Sequence, residues 1–176
     1  DGKIVTDLDI EVTSNLVRDI LEQEKFDSVA ICFLHSYLNP IHERALSDII
    51  SALYPEMPIT CSCDVAREFR EYERASTTTL AAYVQPVVAG YINRFSEELA
   101  RRGFQGKFSI MQSNGGRMPA AAITKNAITA LFSGPAAGVV GAIRGKGSTP
   151  YTDIITLDMG CLLYTSDAAD DGYRVV

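Results

Sequence analysis

Apolar positions recur along this chain in two periods, and the switches between them divide it into elements. From Val12 to Glu24, Leu16, Val17, Ile20 and Leu21 fall at helical spacing, with Thr13 and Ser14 as N-cap candidates. Residues 27–36 (DSVAICFLHS) form a continuous apolar run, which predicts a strand buried on both faces, as in parallel sheets. Asn39-Pro40 breaks the chain. Residues 42–53 then place Ala45, Leu46, Ile49, Ile50 and Leu53 on one helical face, before Pro55 and Pro58 end the helix. A short strand at 58–62 completes a strand–helix–strand unit, so the N-terminal part reads as α/β.

Further along, Leu80, Val84, Val87, Val88, Tyr91, Ile92, Phe95 and Leu99 recur at three- and four-residue steps within 64–103. They predict one long helix, or two joined near Pro86, closed by Gly103. KFSIMQS (107–113) reads as a strand and SNGGRM (113–118) as a tight turn. AAAITKN and AITALFS are short elements of either type. Residues 134–147 predict a small-residue helix leaving in a glycine-rich loop, and DIITLD (153–158) another buried strand. A boundary is expected within 64–76, where the strand–helix–strand pattern gives way to the long helix.

Composition narrows the function classes. Of 176 residues, 47% are hydrophobic and 22% charged, an ordinary globular balance, and the net charge is −6. No basic cluster is present, which argues against nucleic acid or an anionic membrane as main partner. No apolar run reaches the ~18–20 residues of a membrane span, and no signal peptide is visible. Cys32 lies in an apolar run, and Cys61 and Cys63 form a lone CxC without a second pair, which reads as a strand end rather than a metal site. A reducing, cytoplasmic compartment is expected. The chain starts at Asp1, so it reads as an internal fragment.

Three glycine-bearing stretches are candidates for chemistry. Asn114, Gly115 and Gly116 follow a strand, where open α/β sheets bind ligands; a plain Asn-Gly turn is the alternative. Ser133 and Gly134 open the small-residue helix, with Ser133 as its cap; the site is either an anion-holding N-terminus or close packing alone. Asp158, ending a buried strand before Gly160, suits a site where a carboxylate holds a water on Mg²⁺ and glycine admits a phosphate. The charged run containing Arg70, Glu73 and Arg74 reads as a salt-bridged helix start, and the hydroxyls of Thr77 and Thr78 beside it are unusual inside a helix. These five residues are candidates for a substrate cleft. His35 and His42 have no acid–base partner in sequence and read as structural or surface residues.

The ordered set LHSYLNPIHERAL, REFREYERASTTTLAAYVQP, IMQSNGG, LFSGPAAGVVGA and IITLDMG strongly resembles the hydantoinase A / 5-oxoprolinase family over residues 1–160. That family includes ATP-dependent N-methylhydantoinases, 5-oxoprolinases and subunits of acetone and acetophenone carboxylases. The resemblance implies an actin/Hsp70-like ATPase with a ribonuclease-H-like core in two lobes. It implies ATP and Mg²⁺ as cofactors, with Asp158 on Mg²⁺ through water. It further implies a partner hydantoinase B-type subunit or domain. The implied reaction is ring opening of a cyclic amide, hydantoin or 5-oxoproline, after ATP activates the carbonyl. Alternatives are the ATP-using subunit of a ketone carboxylase and a non-enzymatic actin-like nucleotide switch. Catalytic residues are not assigned by the resemblance.

On the same resemblance, residues 1–75 are the C-terminal part of the family's N-terminal domain and 76–160 the start of its hydantoinase A domain. The first phosphate loop, an aspartate-glycine-glycine-threonine turn, is absent, and the second breaks off after Gly160. Residues 161–176 (CLLYTSDAADDGYRVV) resemble the translation of a transposase-type sequencing-library adapter. They are expected to be non-native, so Cys161, Asp167, Asp170 and Asp171 receive no role. The 176-residue chain is therefore expected not to hydrolyse ATP.

Overall fold

The structure, a computed structural model, describes residues 2–147, 150 and 152–158. The chain divides into two compact units. The first comprises Asp1–Ile110 with Met118–Thr129, the second Met111–Arg117 with Ala130–Val176.

In the first unit, α1 (Ile10–Leu21) begins earlier than its apolar pattern suggests. Asp9, not Thr13 or Ser14, is the cap: its side chain accepts from the Val12 amide, while the Ser14 hydroxyl turns back to the Ile10 carbonyl. β1 (Val29–Ile31) and β2 (Ile59–Cys61) pair in parallel, with Val29 opposite Ile59 and Ile31 opposite Cys61. α2 (Ile41–Leu53) joins them, which makes the expected strand–helix–strand unit. Val17, Ile31, Ile49, Ile50, Cys61 and Cys63 form its core.

β1 is shorter than the apolar run that predicts it. The Phe33 amide leaves the ladder to donate to Glu43 Oε1 at 2.7 Å. Beyond it the chain turns, with His35 at φ 59° and its carbonyl accepting from the Leu38 and Asn39 amides.

A single turn, α3 (Ser62–Val65), follows β2, and α4 then runs unbroken from Glu71 to Arg101. The long helix thus starts at 71 rather than 64, and Pro86 lies inside one continuous helix. At its end Gly103 takes φ 80°, which no side-chain-bearing residue adopts easily. The Gly103 amide donates to Ala100 and the Phe104 amide to Leu99, a Schellman closure. β3 (Ser109–Met111) and β4 (Arg117–Pro119) pair in a second two-stranded sheet. α5 (Ala120–Ile123) and a 3-10 turn (Ala127–Ala130) follow and bury Ile123 and Ala127.

In the second unit, α6 spans Ser133–Lys146. Residues 153–158 are not the expected buried strand. They are exposed and carry no strand assignment, with Ile155 99% exposed. A strand exists by pairing its backbone groups with a neighbour, and among the described residues none pairs with this segment. Among the described residues no helix is long and apolar enough to cross a membrane.

Candidate functional site

The most strongly organised polar cluster lies in the first unit, where α2, α3, α4 and the turn after β1 meet. It centres on Glu43 and Arg74, 0% and 1% exposed. Glu43 sits in the first turn of α2, on the stripe shared with Leu46 and Ile50, so the helix that packs on the sheet carries it inward. Its carboxylate accepts from the Phe33 amide, the Ser62 hydroxyl at 2.6 Å and the Cys63 amide at 2.9 Å. Burial alone pushes a carboxyl upward. Here the donors Ser62, Phe33, Cys63 and Ser36 together outweigh it and hold Glu43 below its ordinary value.

Arg74 reaches the same point from α4. Its guanidinium donates to the Phe33 carbonyl at 2.6 Å and to the hydroxyls of Ser36 and Ser62, and lies 3.8 Å from Glu43 Oε1. It also sits 5.6 Å from the Tyr37 ring centroid, within cation–π range. Its Nε is buried without a partner. Thr78, one turn on and fully buried, returns its hydroxyl to the Arg74 carbonyl at 2.6 Å, the usual resolution for a mid-helix threonine. The cluster is closed to solvent and ties the turn after β1 to the helix that crosses it.

The other cleft candidates sit apart from it. Arg70, the N-cap residue of α4, and Glu73 form an exposed pair at 3.1 Å, and Thr77 is half-buried. Arg70 and Glu73 make the salt-bridged helix start that the spacing implies; Arg74 does not join it. Cys63 is no nucleophile. Burial, then Glu43 and Asp64, push its thiol up to about 12, so it stays protonated at neutral pH. Among the described residues no group of three or more potential metal ligands occurs, and Cys32, Cys61 and Cys63 are free thiols. His35 and His42 line a cavity of about 320 Å³ with Lys3, Thr6 and Asn39, and His42 Nε2 is buried without a partner.

In the second unit, two of the three glycine-bearing stretches come together. Gly115 adopts φ 79°, and a Cβ there would stand 2.9 Å from Val140 Cγ2 on α6. Glycine is required twice over, by backbone conformation and by close approach. The turn consumes its own amides: Gly115 donates to the Gln112 carbonyl and Gly116 to Asn114 Oδ1 at 2.8 Å. Ser133 is the first residue of α6 but makes no capping bond. Phe132, at φ 56°, precedes it as the cap residue. Pro135 has no amide, and among the described residues the amides of Ser133 and Gly134 donate to no backbone partner. Asp158 ends the exposed segment 153–158, and Gly160 lies outside the described residues, as do residues 161–176.

These groups fit a nucleotide only in part. Two free amides and one exposed carboxylate suit one side of a phosphate and a water on Mg²⁺. They do not enclose a triphosphate, and no chemical step is derived through one.

An α/β chain with a parallel strand–helix–strand unit, a long following helix and a small-residue helix beside a glycine turn narrows the class, and comparison with known proteins completes it. The hydantoinase/oxoprolinase family pattern matches residues 74–166, and that of the hydantoinase/oxoprolinase N-terminal region matches 1–54. The chain belongs to the hydantoinase/oxoprolinase family.

It is 32% identical over 160 residues to caprolactamase subunit alpha of Pseudomonas jessenii, covering 91% of this chain and 23% of that protein. The crystal structure of the ATP-dependent caprolactamase from that organism superposes with a TM-score of 0.79 over the same share of both chains. A nucleotide-free acetone carboxylase structure gives a TM-score of 0.67 at 27% identity, covering 82% of this chain and 20% of that one. The 5-oxoprolinase of Saccharomyces cerevisiae is 31% identical over 146 residues, covering 80% of this chain and 11% of that protein. The chain thus spans about a quarter or less of the relatives it matches.

Glu43 and its partners Ser36 and Ser62 are the residues that sequence reasoning missed. The available signal was a carboxylate on the apolar stripe of α2.

Proposed function

We propose that the chain is a segment of the ATP-using subunit of a cyclic-amide hydrolase, which opens a lactam, hydantoin or 5-oxoproline ring. The observation that carries this is the likeness to the ATP-dependent caprolactamase, at 32% identity and a TM-score of 0.79 over 91% of the chain. The ketone-carboxylase alternative rests on the acetone carboxylase likeness, which is lower in TM-score and identity at 0.67 and 27%. The reading includes an actin/Hsp70-like two-lobed core, a cytoplasmic setting and a partner of hydantoinase B type. Subunit designations such as alpha and beta among the relatives support the partner.

In this reading bound ATP, with Mg²⁺, would supply the activation of the amide carbonyl toward water. The chain's own residues position and neutralise charge. The Ser133 and Gly134 amides offer donors to a phosphate. The Asn114–Gly116 turn lies against the same helix because Gly115 lacks a side chain. Asp158 would hold a water on Mg²⁺. Arg70, Glu73 and Thr77 face the ring substrate at the start of α4, which Arg74 and Thr78 anchor from inside. The domain division is 1–75, 76–160 and a non-native 161–176.

The test is ATP hydrolysis by the full-length protein with its B-type partner, supplied in turn with caprolactam, 5-oxoproline, hydantoins, and acetone with bicarbonate. Stimulation by a cyclic amide is expected. Stimulation by acetone with bicarbonate alone overturns the reading. The 176-residue chain by itself is expected to show no Mg²⁺-dependent turnover.

A further inference from the structure

The long helix α4 is apolar on two faces. Ala81, Ala82 and Ile92 are buried at 2%, 4% and 3%, and the helix packs on β1 and β2. Beside that face, Tyr83, Val87, Tyr91 and Phe95 follow one another at four-residue steps and are 78%, 74%, 60% and 38% exposed, the last also packing on Phe108 at 4.9 Å between ring centroids. Four-residue spacing places them in one row along the helix. The Tyr91 and Phe95 rings stack at 6.1 Å, so the row is an ordered surface rather than scattered side chains. A helix with one solvated face does not carry such a row, whereas a helix packed between two layers does.

We infer that in the full-length protein the Tyr83–Val87–Tyr91–Phe95 row is covered by a further layer of the same polypeptide. Length supports this occupant over a second copy or a separate subunit. The fold matches the caprolactamase over 91% of this chain but only 23% of that one, so relatives carry several times more polypeptide outside this segment than within it. The inference rests on family membership and not on the proposed reaction.

Tyrosine nitration by tetranitromethane, read by peptide mass spectrometry on the dilute, partner-free full-length protein, tests it. The same protein unfolded in urea sets the rate of a fully open ring. Tyr83 and Tyr91 are expected to react about tenfold or more slowly in the native protein, because a covered side chain reacts only through opening. In the 176-residue chain the same two rings are expected to react close to the unfolded rate. Native rates equal to unfolded rates in the full-length protein overturn the inference. So does protection that appears only on adding the B-type partner, or only as concentration rises. Those results assign the row to a second subunit or a second copy.

Discussion

Replacing Glu43 by Gln removes one charge from the buried cluster while keeping its shape. The amide retains one acceptor oxygen for the Phe33, Ser62 and Cys63 donors and adds an NH₂ where an acceptor stood. Arg74, 1% exposed, is left as a buried cation without its counter-charge. Breaking a buried pair from one side costs about 3–5 kcal/mol. The 3.8 Å separation, and the neutral acceptors that Arg74 keeps at Phe33, Ser36 and Ser62, place this variant near the lower end, about 3 kcal/mol. With a urea slope of about 1–3 kcal/mol per molar, the unfolding midpoint should fall by roughly 1–3 M. Arg74→Met strands the carboxylate instead and should destabilise by a similar amount. The double variant should be less destabilised than the sum, by about 1–3 kcal/mol, because no lone charge remains. Urea unfolding of all four proteins by circular dichroism at pH 7 completes the cycle. Single effects that add to within roughly 0.5 kcal/mol would refute the coupling. Acid offers a second check. Glu43 is lowered in the fold, so its contribution is present above its ordinary value of 4.5 and lost as pH falls through the folded value. The gap between wild type and Glu43→Gln should therefore close on acidification, and a gap that widens sinks the assignment.

Other perturbations report on other parts of the chain. Cys63, raised from 9.0 to about 12, contributes stability below about pH 9 that is lost as pH rises toward 12; unfolding curves between pH 8 and 11 should show the decline, and iodoacetamide at pH 8 should label Cys63 only after urea. Pro86→Ala supplies the missing amide within α4 and should raise stability by about 1–3 kcal/mol in thermal unfolding; a loss would mean that packing around the proline requires its ring. Gly115→Ala forces a side chain into positive φ and against Val140, so it should destabilise the turn by about 1–2 kcal/mol, with faster amide exchange at position 115 and at Gly116 as the readout.

What the pattern shows well is what local periodicity decides. The strand–helix–strand unit, the long helix, the Gly103 closure and a turn inside 113–118, though Arg117 and Met118 belong to β4, follow from spacing and turn residues that act within a few positions. What it shows poorly is set by partners distant in sequence. β1 stops at Ile31 because a carboxylate ten residues on takes the Phe33 amide, and nothing in DSVAICFLHS encodes that competition. α1 is capped by Asp9 although Thr13 and Ser14 are equally good cap types, because only Asp9 stands where its oxygen meets the Val12 amide. Residues 153–158 have strand composition and no paired strand among the described residues. Composition supplies a preference, and pairing supplies the strand.

The charged run at the start of α4 shows how far the candidate site was readable. Six charged residues among the eight at 67–74 suggest a solvated face, and Arg70 and Glu73 behave so. Arg74 does not, and the period separates it. From Arg74, Thr78, Ala81 and Ala82 lie four, seven and eight positions on, along the face that packs inward, whereas Glu73 and Thr77 fall beside that face and Arg70 is the cap residue before the helix. A cation on an inward face requires an anion on an inward face of whatever packs against it. In this sequence α2 carries one such anion, Glu43, aligned with Leu46 and Ile50. Two opposite charges, each out of phase with the polar side of its own helix, predict each other as a buried pair. The contact between two distant helices was therefore written in the sequence, although neither helix alone declares it. The same test finds no such match for Asp158. Its segment has no inward face in the structure, so the Mg²⁺ role proposed for it rests on the family resemblance, and activity of the full-length protein tests it rather than packing.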